Sequence, residues 1–119
     1  MNAPHSIPAY KLSDIFEGED LEILLAHNVK TTRAALKIEP HVELPDHIRS
    51  ALRCLHLPRV GVGLLLALMD NGFANPEKLA KADPIALLET IKKSKRLKRV
   101  PHIYIVRALV LDAQKLVNK

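Results

Sequence analysis

At 119 residues and 48% apolar, the chain is long enough for one buried core, and with only 3% aromatics that core must be built from Leu, Ile, Val and Ala. This composition favours helices over a β-sandwich, the lone Cys54 excludes an internal disulfide framework, and the longest apolar stretch, Val60 to Met69, is too short for a membrane span. The net charge of +5 is uneven: residues 1–57 hold six Lys/Arg against eight Asp/Glu, net −2, and residues 58–119 hold twelve against five, net +7.

In chain order, residues 1–10 carry two prolines and read as a flexible arm. Residues 11–119 read as a single compact domain of two repeats (about 11–44 and 46–94) closed by a C-terminal helix over 101–118. A short helix is expected around Lys11–Ile15, followed by a turn, Phe16 to Asp20, that feeds acidic residues into a helix first turn. Leu21, Ile23, Leu24 and Leu25 continue that helix to a stop near Asn28, and Thr31 or Thr32 caps the next one, through Leu36. Pro40 and Pro45 bracket a loop. Asp46 is expected to cap a helix that aligns Ile48, Ala51, Leu52 and Leu55.

The stretch Leu57-Pro58-Arg59-Val60-Gly61-Val62-Gly63 reads as a helix end and a tight glycine turn, with positive φ expected at Gly61. Leu64 to Met69 form the helix that follows, and Gly72 stops it. Asn75-Pro76 and Asp83-Pro84 are each a cap followed by proline at the first helical position, opening helices through Ala82 and over Ile85 to Ile91. The segment Lys92 to Arg99 then packs six basic residues into eight, enough to attract a polyanion. Pro101 opens the last helix, whose core face is Ile103, Val106, Leu109, Val110, Ala113, Leu116 and Val117. Tyr104, Ala108 and Leu111 make a second apolar stripe, which implies burial between layers or, alternatively, a homodimer seam.

A shift of 44 residues places Leu21 on Leu65, Leu24 on Leu68 and Asn28 on Gly72, with Glu17 falling on Gly61. The first half therefore reads as a degenerate copy of the second.

The spacing from Gly61 to Gly72 resembles the helix-hairpin-helix motif. From Leu12 to Leu116 the chain resembles an uncharacterised bacterial family of tandem helix-hairpin-helix proteins, a domain of unknown function. The resemblance rests on Leu57–Gly61, Gly72-Phe73, Leu79-Ala80, Asp83-Pro84, Arg99-Val100-Pro101, Ala113 and Leu116. Glu19-Asp20-Leu21-Glu22 and Val29-Lys30-Thr31-Thr32 carry it in the first repeat. It implies an all-α fold of two tandem units and, through the wider superfamily, phosphate contact by backbone amides at the second helix's N-terminus. The hairpin departs from that pattern. Arg59 replaces the first hairpin glycine, Gly63 stands where DNA-binding versions often carry lysine, and Leu65 replaces a small residue.

Two functions follow. The leading one is non-enzymatic, sequence-independent binding of duplex DNA by Arg59, Gly61, Val62, Gly63, Lys92, Lys93, Lys95, Arg96, Lys98 and Arg99. No aromatic accompanies the basic run, so stacking on single strands is not expected. The alternative is a protein-interaction module or adaptor, self-associating or not, that uses Leu64 and Leu66, with at least one of Leu64, Leu65 and Leu66 expected to face outward, or Tyr104 and Leu111. His41, His47, Cys54 and His56 offer no second ligand pair for zinc, so neither a metal nor another cofactor is expected. The serines lie in no nucleophile context, and Glu17, Glu19, Asp20 and Glu22 read as a helix N-terminus rather than an acid–base pair. With no signal peptide at Met1–Pro8 and a single cysteine, the expected location is cytoplasmic, without a membrane partner.

Overall fold

The computed structural model describes residues 9–118, so most of the expected N-terminal arm, residues 1–8, lies outside the described residues. The fold is all-α. Its helices are α1 (Gly18–Leu25), α2 (Thr32–Ile38), α3 (Asp46–Cys54), α4 (Val62–Asp70), α5 (Pro76–Lys81), α6 (Pro84–Ile91) and α7 (Ile103–Val117). Two 3-10 turns, Leu12–Asp14 and Glu39–His41, complete it.

Local chemistry sets most of the boundaries. Thr31, Asn75 and Asp83 each accept a hydrogen bond from the backbone amide three residues on, and so cap α2, α5 and α6. Asn28 (φ 62°) and Gly72 (φ 74°) end α1 and α4 in the left-handed conformation, 44 residues apart. The first half is pinned to its own beginning. Tyr10 N donates to Thr32 Oγ1 at 3.0 Å, and Thr32 N donates back to Tyr10 O at 2.9 Å. Tyr10, assigned to the arm from sequence, is therefore part of the fold.

Three local expectations change. The helix expected at Lys11–Ile15 is a single 3-10 turn, since Ile15 N and Phe16 N both return to Leu12 O and the chain then turns into α1. Asp46 is the first residue of α3 rather than its cap; Pro45 occupies the cap position and makes no side-chain hydrogen bond. Pro101 does not open α7. His102 caps it, its ring nitrogen accepting from Tyr104 N at 3.3 Å.

One aliphatic core joins the helices, with Leu24, Ile48, Leu52, Leu55, Leu65, Leu68, Leu79, Leu87, Ile91 and Leu109 fully buried. Helix α7 lies against α5 and α6 through Val106, Leu109, Val110 and Ala113, a 3.6-residue stripe. Gln114 Nε2 donates to Ala80 O at 3.0 Å along this seam. Arg53 grips Glu77 with two hydrogen bonds of 3.2 and 2.9 Å, joining α3 to α5. Among the described residues, no helix is long and apolar enough to cross a membrane.

Candidate nucleic-acid interface

Gly61 enters α4 with φ −101° and ψ −174°, an extended conformation open to any residue, so the positive φ expected there is not found. The turn is made without it: Val60 N donates to Leu57 O at 3.2 Å, and Leu65 N returns to Gly61 O at 2.9 Å. Gly61 has no side chain to cap the helix, and the amides of Val62, Gly63 and Leu64 meet no acceptor among the described residues. These amides lie at the positive end of the helix dipole.

The basic segment runs alongside. Helix α6 stops at Ile91, and Lys92 to Arg99 leave it as a chain of turns rather than as a helix face. Ser94 N bonds to Ile91 O at 3.0 Å, Arg96 N to Ser94 Oγ at 3.3 Å, and Leu97 is half-buried against the core. Arg96 Nε lies 3.2 Å from Asp70 Oδ2, at the far end of α4. The Arg96 carbonyl passes 3.9 Å from where a Cβ on Gly63 would stand. A groove results, lined by Val62, Gly63 and Leu66 on one side and by Arg96, Leu97, Lys98 and Arg99 on the other.

The cations expected at the site divide into two sets. Arg59 reaches away to Asp112 of α7, Lys92 Nζ pairs with Glu89 at 2.7 Å, and Arg96 is held by Asp70. Lys93, Lys95, Lys98 and Arg99 are exposed and have no acidic partner among the described residues. Asp70 and Asp112 are far from their arginines in sequence and nothing local marks them as partners, whereas Glu89 stands three residues before Lys92, a spacing the sequence does show.

Neither Leu64 nor Leu66 is the exposed leucine expected at the hairpin. Both are half-buried, Leu64 against the core and Leu66 in the groove beneath the basic segment. Tyr104 and Leu111 are 68% and 55% exposed, which overturns burial of that stripe between layers. In the first half, Glu17 precedes α1 as Gly61 precedes α4, and with Asp20 it borders a second hollow shared with Asp70 and Arg96. An acidic edge thus adjoins the basic groove. Among the described residues, no three His, Cys, Asp or Glu side chains cluster to hold a metal ion.

Comparison of the chain with known protein families, with characterised proteins and with solved structures finds no match.

Proposed function

We propose that the chain is a non-enzymatic module of helix-hairpin-helix type that binds duplex DNA through its backbone, without sequence preference. The observation that carries this reading is the groove, where uncapped α4 amides and the basic segment share one face. The amides of Val62 and Gly63 meet a phosphate oxygen, while Lys93, Lys95, Lys98 and Arg99 supply charge that no internal carboxylate neutralises. Arg59 contributes by holding the turn against α7, not by touching DNA. The acidic α1 entrance repels the backbone, so the second half makes the contact.

Fluorescence anisotropy with two unrelated duplexes at low and moderate salt tests the proposal. Equal affinities are expected, with a log–log salt slope of about −3 to −4 for four neutralised phosphates. Changing Lys93, Lys95, Lys98 and Arg99 to Gln removes binding and leaves the thermal melt nearly unchanged, because exposed charges contribute little to stability. A wild-type chain that does not bind either duplex at low salt refutes the proposal.

A further inference from the structure

Helix α7 buries one face and offers the opposite one to solvent. On that outer face Tyr104 and Leu111 are 68% and 55% exposed, with half-buried Ala108 between them. Residues three or four apart on a helix share a side, so the three form one seam, with the small alanine as a hollow between two large side chains. The His102 ring stacks on Tyr104 with centroids 4.7 Å apart, steadying the tyrosine at the head of the seam. The margins carry one sign. Arg107 and Lys115 are exposed and meet no acid among the described residues, whereas Asp112, the only acid on α7, is taken by Arg59.

The geometry points to this face as a docking surface for an acidic amphipathic helix of a partner protein. A bulky apolar residue of the partner fills the hollow at Ala108, between Tyr104 and Leu111, and its flanking carboxylates meet Arg107 and Lys115. A second copy fits less well. Pairing α7 with itself about Ala108, in either direction, brings the two Arg107 side chains to the centre of the contact. An anionic bilayer also suits basic margins, but two large apolar side chains offer little to insert, and the hollow between them matches a knob. The inference does not depend on DNA binding.

The probe is a labelled peptide of about 18 residues with Leu at i, i+3, i+4 and i+7 and Glu elsewhere, titrated with the full chain. Saturable binding is expected, weakened about tenfold or more by Tyr104→Ser with Leu111→Ser. That variant retains the whole basic segment, so charge attraction to Lys92–Arg99 is common to both proteins and cancels in the comparison. Arg107→Glu with Lys115→Glu should weaken the Glu peptide and admit its Lys counterpart. Thermal melts confirm that each variant is folded. The inference is overturned by absent binding, or by equal binding to the wild type and the Tyr104/Leu111 variant. A dimer that this variant dissolves overturns it in favour of a second copy. Retention on phosphatidylglycerol vesicles, lost in the variant while the peptide does not bind, overturns it in favour of a membrane surface.

Discussion

Gly61 and Gly72 bracket the same helix and do different work. Gly72 sits at φ 74°, where any side chain is strained, and it lets Phe73 N reach Leu68 O at 2.8 Å to close α4. Gly72→Ala should therefore lower stability by about 1 kcal/mol in a denaturant melt. Gly61→Ala should cost far less, because φ is ordinary and the added Cβ would lie 3.6 Å from Tyr10 Oη, a normal contact. Cys54 shows the effect of burial on an ionisable group. Its thiol is pushed up from 9.0 to about 12, chiefly by desolvation, with the Arg53 charge opposing weakly. A raised folded pKa means that the stabilisation is intact below the unfolded value and is lost as pH climbs from about 9 toward 12. Cys54→Ala should flatten that alkaline decline, and iodoacetamide should label the wild-type thiol only as fast as the chain unfolds.

At the scale of elements, side-chain caps were the most legible part of the chain because they are local. Asn75 and Asp83 act three residues away, and each is followed by a proline that fixes the helix start. Replacing Thr31 or Asn75 with Ala should each cost about 1 kcal/mol, measured by chemical denaturation. The two caps lie 44 residues apart and open α2 and α5. Asp46 does not cap because the chain enters α3 one residue earlier, at Pro45 (φ −52°, ψ 144°), leaving the carboxylate one position late. The cap at His102 was missed because a ring nitrogen accepting from an amide two residues on leaves no recognisable pattern in sequence. The outer face of α7 was legible as an apolar stripe, with burial between layers and an open seam both left standing. Periodicity tells which residues share a side and not what lies against them.

Across the whole molecule, the +7 half of the chain was visible from composition, yet its cations do not act as one group. Of the seven cations expected at the DNA site, Arg59 and Arg96 tie elements together through Asp112 and Asp70, Lys92 pairs with Glu89 at the end of its own helix, and Lys93, Lys95, Lys98 and Arg99 are left for a phosphate backbone. Arg59→Ala should thus leave DNA affinity within about twofold while lowering stability by less than about 1 kcal/mol, as for other exposed pairs. Anisotropy and melting on the same sample separate the two effects. The Arg96–Asp70 tie has a further consequence when considered with half-buried Leu97. Together they fix the basic segment across α4 at two adjacent points, so its backbone freedom is surrendered during folding rather than at binding. Two glycines inserted after Ser94 would keep every charge and release that restraint. Affinity for duplex should then fall while the salt slope stays the same, separating the contribution of order from that of electrostatics.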